Sequence, residues 1–204
     1  MIAAGFGETP PEDLRRNKGW IGTLIERELG AVAGSKAEPD FPHLGVELKT
    51  IPVSANGVPR ESTWVCLADL DVHCADWTQS WTRRKLAKVL WVPIVTPSGS
   101  APGARIVGRP LLWSPTPEQE ATLQQDWEEH MELLGLGEFW QIEAGRGVAL
   151  QMRPKAAKAS DTQWALSEEG EWVRTEPKGF YLRRSFTTAV LAEAQDVATG
   201  GENG

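Results

Sequence analysis

The chain has 204 residues, 41% of them hydrophobic, and a formal net charge of −7 at pH 7. That length and apolar content support a buried core, as one large domain or two small lobes, and place the chain among soluble globular proteins. No apolar run approaches the ~18 residues of a membrane helix, and residues 1–11 lack a basic stretch followed by an apolar one, which points to the cytoplasm. Cys66 and Cys74 are the only cysteines, and no second Cys pair or His pair stands at zinc-ligand spacing, so both are expected to be reduced and structural. His43, His73 and His130 are not metal-spaced and are read as structural or surface residues.

Thr9-Pro10-Pro11-Glu12-Asp13 is a helix start signal with Thr9 as cap. A helix follows from about Gly19 to Leu29 and stops at Gly30. Its apolar stripe is Trp20, Ile21, Leu24 and Ile25, with Glu26 opposite. Glu28 falls within the stripe, a costly place for a carboxylate, so either the helix is rotated from this wheel or Glu28 pairs with a nearby base such as Arg27 or Lys36. From Gly45 the chain reads as a strand, because Val46, Leu48 and Thr50 alternate with Glu47, Lys49 and Ile51. Asn56-Gly57 predicts a turn into a second strand, Ser62 to Leu67, paired with the first as a hairpin. Trp81 to Lys88 reads as a helix feeding an apolar strand, Val89 to Val95. A Pro/Gly/Ser loop covers Thr96 to Gly103, and a third strand lies near Arg105 to Val107. Thr116-Pro117-Glu118 starts an acidic helix whose Leu123, Trp127, Met131 and Leu134 step by four, four and three. Further strands are expected at Trp140 to Ala144, Val148 to Arg153 and Phe180 to Leu182. A helix from Ser185 to about Gln195 follows, and residues 198–204 are expected to fray.

The stretch with chemical content is Asp40 to Pro52. Glu47 and Lys49 share one strand face, and a Pro/Gly-punctuated turn can bring Asp40 back beside them. Two carboxylates and an ammonium then converge. Hard oxygen ligands suit Mg²⁺, which takes one or two protein carboxylates and fills its shell with water and phosphate oxygens. An isolated Glu-x-Lys is ordinarily an edge strand with two solvated charges.

The surrounding blocks give it more weight. Lys18-Gly19-Trp20-Ile21-Gly22, Gly34-Ser35-Lys36, Asp40 to Pro52 and Glu61-Ser62-Thr63-Trp64-Val65-Cys66 resemble the MutH family of mismatch-repair endonucleases, in the restriction-endonuclease-like superfamily. So do Arg84-Lys85-Leu86, Val89-Leu90-Trp91, Leu111-Leu112-Trp113-Ser114-Pro115, Arg153-Pro154-Lys155-Ala156-Ala157 and Gly179-Phe180-Tyr181-Leu182. The resemblance spans nearly the whole chain. It implies an α/β (α+β mixed) fold, with a mixed sheet flanked by helices and two arms closing as a clamp around a DNA cleft. Residues 1–204 would form a single endonuclease domain, with a catalytic arm near 1–95 and a recognition arm near 104–197.

The resemblance further implies a Mg²⁺-dependent endonuclease that nicks the unmethylated strand at hemimethylated GATC sites. Asp40 and Glu47 would be metal ligands for what is expected to be two ions, Lys49 would orient the attacking water, and Glu26 would be an additional active-site carboxylate. Lys18, Lys85, Arg153 and Lys155 would contact DNA. Arg153 lies in a base-reading loop, and Arg to guanine is the commonest specific major-groove contact. Trp64 stands where the family has an aromatic able to wedge at a base step, and Tyr181 matches the residue that abuts the adenine N6 amine. Double-stranded DNA and the activator MutL are the implied partners, with MutS acting indirectly, no membrane, and a monomer as the working form. A superfamily restriction enzyme cutting both strands, and a catalytically idle DNA-binding module, are the alternatives.

Net charge runs against a nucleic-acid partner, but its distribution removes most of the objection. Eight of the 28 acidic residues fall between Glu118 and Glu143, a span with no Lys or Arg; twenty remain elsewhere, against 21 bases. The bases cluster as Arg15/Arg16/Lys18, Arg83/Arg84/Lys85/Lys88, Arg153/Lys155/Lys158 and Lys178/Arg183/Arg184, inside or beside those blocks, where they are expected to contact phosphates.

Overall fold

The computed structural model describes residues 2–14, 16–17, 19–32, 38–68, 76–97, 101–143, 145–155 and 161–200, without side chains for 102 and 194–200. Lys18, Lys36, His73, Cys74 and Lys158 therefore lie outside the described residues. Contacts divide the chain into two units. The first holds residues 1–61, 87–114 and 190–204, the second residues 62–86 and 115–189. The architecture is mixed α/β, as expected.

In the first unit a short helix α1 (Ile2–Gly5) precedes α2 (Trp20–Leu29). Gly19 and Gly30 bracket α2 in left-handed conformations, and the Gly30 N–H bonds back to the Arg27 carbonyl, so the helix stops where the glycine says it should. The sheet is built on β3 (Val89–Val95), an almost wholly apolar segment paired on both edges. On one edge β1 (Glu47–Val53) runs parallel to it, with Glu47 opposite Val89 and Lys49 opposite Trp91. On the other, β4 (Ile106–Val107) and β5 (Leu111–Trp113) run antiparallel. Proline has no N–H to donate, and the ladder is interrupted opposite Val92 and Pro93: β4 pairs with Ile94 and Val95, and β5 pairs with residues 89 to 91. Between them the Gly108 N–H still reaches the Pro93 carbonyl, at 2.7 Å. Ile25 of α2 packs with Leu48, Val92 and Ile94, so α2 covers the Leu48 face of the sheet.

In the second unit β2 (Thr63–Leu67), β9 (Lys178–Leu182) and β6 (Leu150–Pro154) form an antiparallel sheet in the order β2-β9-β6. β7 (Gln163–Leu166) and β8 (Trp172–Thr175) make a separate hairpin, turned at Ser167 and Gly170. The unit also contains α3 (Trp81–Leu86) and the long α4 (Pro117–Gly135). Thr116 and Gln119 close a reciprocal capping box at the start of α4. The last described element is α5 (Arg184–Gly200), which continues past the end expected near Gln195 and through residues 198–200; residues 201–204 lie outside the described residues.

Several expectations are corrected. Thr9 caps no helix: the chain is non-helical from residue 8 to 14, since Pro11 disfavours the helical region for Pro10. β1 and β2 form no hairpin. The Asn56-Gly57 turn exists, with Gly57 at φ 76, but its return makes one bridge, Val53 to Pro59, before β2 joins another sheet. The strand expected at Trp140 to Ala144 is absent from residues 140–143, and Ala144 lies outside the described residues. The Glu138 N–H bonds the Leu133 carbonyl and that of Gly137 the Leu134 carbonyl, a helix-ending turn after which residues 139–141 form a 3₁₀ turn. Glu28 is exposed, because the buried positions of α2 are Leu24 and Ile25 and its last turn extends past them; Arg27 pairs instead with Glu8. β5, β7 and β8 were not expected from the sequence.

Candidate active site and nucleic-acid interface

Between Asp40 and β1 the chain folds into a tight loop. Phe41 bridges Val46, residues 42 to 44 make a 3₁₀ turn, and Gly45 closes it at φ 61, a left-handed conformation that favours glycine. The loop returns Asp40 to the strand, where its Oδ2 accepts the Leu48 N–H at 2.8 Å. Leu48 is the residue between Glu47 and Lys49. The Glu47 side chain is only 2% exposed, and Lys49 Nζ lies 2.7 Å from its Oε1. Sequence alternation thus predicts a pairing that the strand makes. A carboxylate so deeply buried is tolerable because the ammonium compensates it.

Glu26 lies on α2, the helix whose Ile25 packs against Leu48 of β1. A Cβ built on Gly22 of α2 would lie 3.5 Å from Thr50 Oγ1 and 4.0 Å from Glu26 Oε1, so both oxygens border Gly22. Among the described residues no three His, Cys, Asp or Glu side chains group closely enough to share a metal. Asp40 and Glu47 are what the site offers to an ion. Two hard oxygen donors beside an ammonium fit Mg²⁺, which needs no more than this from the protein.

In the second unit one face of the β2-β9-β6 sheet carries an aromatic and cationic cluster. Tyr181 lies opposite Trp64 on one side and Gln151 on the other. The Trp64 and Tyr181 rings meet edge to face at 5.0 Å. Lys155 Nζ sits 4.5 Å over the Trp64 ring and 5.9 Å from that of Tyr181, and the Arg153 guanidinium lies 5.7 Å from Tyr181 while bonding Gln151 Oε1. Partial burial raises the Tyr181 phenol above its ordinary range, with Arg153 pulling the other way, so the hydroxyl is neutral and able to donate near pH 7. Phe180 points to the opposite face and is fully buried, as strand alternation requires. Lys85 rests its ammonium over Trp81, at 5.0 Å.

The charge clusters read from sequence are partly consumed inside the unit. Arg83 pairs with Glu120, which also accepts from the Trp77 indole, and Lys178 is buried, which lowers its pKa. Arg83 is thus engaged by a neighbouring carboxylate while staying partly exposed, and Lys178 is enclosed by the unit. Asp126, counted among the acids of the exposed-looking helix, is buried and accepts the N–H groups of Val148, Ala149 and Leu150 at 2.6 to 2.9 Å. It fixes the start of β6, the strand that carries Arg153. Its place beside Trp127 on the apolar stripe of α4 was the available signal.

Comparison with known proteins follows the same residues. A family model described as "DNA mismatch repair enzyme MutH" matches residues 29–126, a span that contains Asp40, Glu47 and Lys49. The chain is 50% identical over 197 residues to the DNA mismatch repair protein MutH of Shewanella amazonensis, covering 96% of this chain and 88% of that protein. The chain belongs to the MutH family of DNA mismatch repair endonucleases. With the Vibrio cholerae MutH protein identity is 52% over 191 residues, covering 93% and 86%, and with that of Shewanella baltica strain OS155 it is 49% over 192 residues, covering 94% and 86%. Family membership extends over both the Asp40/Glu47/Lys49 loop and the sheet with Trp64, Arg153 and Tyr181.

Proposed function

We propose that the chain nicks the unmethylated strand of hemimethylated GATC sites by Mg²⁺-assisted phosphodiester hydrolysis. The observation that carries this reading is the buried Glu47–Lys49 pair beside the backbone-anchored Asp40. Asp40 and Glu47 are the residues that hold the metal, which when bound supplies an activated water and stabilises the departing 3′ oxygen. Lys49 orients the Glu47 carboxylate through their 2.7 Å ion pair, and presents its remaining N–H groups to the attacking water or to the scissile phosphate. Glu26 is a supporting carboxylate on the strength of the resemblance. Lys18 and Lys85 contact the backbone of the duplex.

Base reading belongs to the second unit. Arg153 and Lys155 supply guanine and phosphate contacts, Trp64 offers a ring to a base step, and Tyr181 abuts the adenine N6 amine, where an added methyl would clash with a ring held by its neighbours. With a net charge of −7, unaided affinity for DNA is modest and falls steeply as salt rises. Activation by MutL, with MutS acting upstream, compensates for that weakness. The enzyme works as a cytoplasmic monomer. No described helix is long and apolar enough to cross a membrane.

The test is a supercoiled plasmid carrying GATC sites in unmodified, hemimethylated and fully methylated form, incubated with Mg²⁺ with and without MutL. The expected products are nicked circles, cut on the unmethylated strand, at a rate that MutL raises sharply. Linear product without a nicked intermediate assigns the chain to restriction instead. Binding without cleavage of any form reduces it to a DNA-binding module.

A further inference from the structure

We propose that Gly179 is a positioning residue that seats the Trp64 ring and thereby fixes Tyr181; this rests on the reading of Tyr181 as the methyl sensor. Residues 179 and 181 of β9 share one face, by strand alternation. On that face Gly179 lies opposite Arg153 of β6, and Tyr181 lies opposite both Gln151 of β6 and Trp64 of β2. Gly179 is the one position of β9 on this face without a side chain, and the Trp64 ring occupies the space. A Cβ built on Gly179 would stand 2.5 Å from Trp64 Cη2, closer still to Cζ3, and 3.0 Å from the Cys66 carbonyl oxygen.

The backbone there is not left-handed, so an L side chain could adopt it. What excludes one is the ring, not the dihedral angles. Glycine inside a strand has no side chain to pack and marks close approach of another group, here the indole. A register shift between Trp64 and Cys66 accompanies the seat: Trp64 faces Tyr181, and Cys66, two residues on, faces the adjacent Phe180. Seated against Gly179, Trp64 meets the Tyr181 ring in an edge-to-face pair at 5.0 Å and carries Lys155 Nζ over its ring at 4.5 Å. Both contacts depend on the indole keeping this orientation. A methyl group at Gly179 would lift the indole, and Tyr181 would lose the neighbour that limits its rotation.

Tyr181 is the only tyrosine in the chain, so incorporation of 3-fluorotyrosine gives one ¹⁹F resonance that reports on this ring alone. Four proteins are compared: wild type, Gly179→Ala, Trp64→Leu and the double variant. Leucine removes Cζ3 and Cη2, the atoms that the new methyl would strike. Each single variant should shift the resonance, and Gly179→Ala should add almost nothing in the Trp64→Leu background. The ratio of nicking rates on unmethylated and methylated strands should fall at least threefold in Gly179→Ala, with little further fall on adding that change to Trp64→Leu. A resonance unmoved by Gly179→Ala, or moved equally in both backgrounds, overturns the role of Gly179. A resonance that behaves as expected with an unchanged strand ratio overturns the sensor reading of Tyr181 instead. Should Gly179→Ala alone fail to fold, a folded double variant supports the seat, because relief by a shorter Trp64 side chain is what a steric seat requires. A double variant that also fails to fold overturns it.

Discussion

Acid should weaken the second unit through a single side chain, His130. This residue of α4 is fully buried, with its ring against Phe180 at 6.0 Å and the Leu150 backbone beside it. Burial lowers its pKa from 6.5 to about 4, against the pull of the Asp126 carboxylate and with a smaller push from Arg146. The folded chain therefore keeps His130 neutral, whereas the unfolded chain protonates it as pH falls through 6.5. Protons bind the unfolded state more tightly, so stability is lost as pH drops from 6.5 towards 4 and is unaffected above that window. At pH 5 the two states differ about 30-fold in proton binding, or about 2 kcal/mol, with a limit of about 3 kcal/mol at lower pH. Urea unfolding of wild type and His130→Leu at pH 7.5 and 5.0 isolates the effect, since the other titrating groups are common to both proteins. The leucine variant should lose about 2 kcal/mol less than wild type on acidification. Equal losses in the two proteins would refute the reasoning.

Two further outcomes follow from the anchored loop and from the buried aspartate. Glu47→Gln and Lys49→Met should each lower nicking by about 100-fold or more, with DNA binding retained. Lys49→Met should also be the less stable of the two in urea, because it strands a carboxylate that is 2% exposed, whereas Lys49 in the partner variant keeps some access to water. Nicking at the wild-type rate in either variant would remove Asp40, Glu47 and Lys49 from the active site. Asp126→Ala takes away an acceptor serving three backbone N–H groups and should cost about 3 kcal/mol. Hydrogen exchange should show the Val148, Ala149 and Leu150 amides losing protection first; unchanged protection there would mean that the carboxylate is not the clasp.

Local pattern alone determined a good deal of this protein. Alternation put Glu47 and Lys49 on one face and Phe180 and Tyr181 on opposite faces, glycine marked the end of α2, and Thr116-Pro117 marked the start of α4. Each of these depends on neighbours a few residues apart, whose geometry the backbone period dictates. Strand partners were another matter. β1 and β2 follow one another across an Asn-Gly turn, yet β1 lies parallel to β3 and β2 pairs with β9, more than a hundred residues away. Periodicity says which face of a strand is apolar and says nothing of which edge meets it. The same limit hid the true roles of charged side chains. Asp126 and Glu120 look like members of a solvated acidic run, and Lys178 like part of a basic cluster, until the fold surrounds them with amides, an indole and a sheet. Burial is a property of the assembled chain, so the sequence could name the charges but only the tertiary structure decided which of them remain exposed.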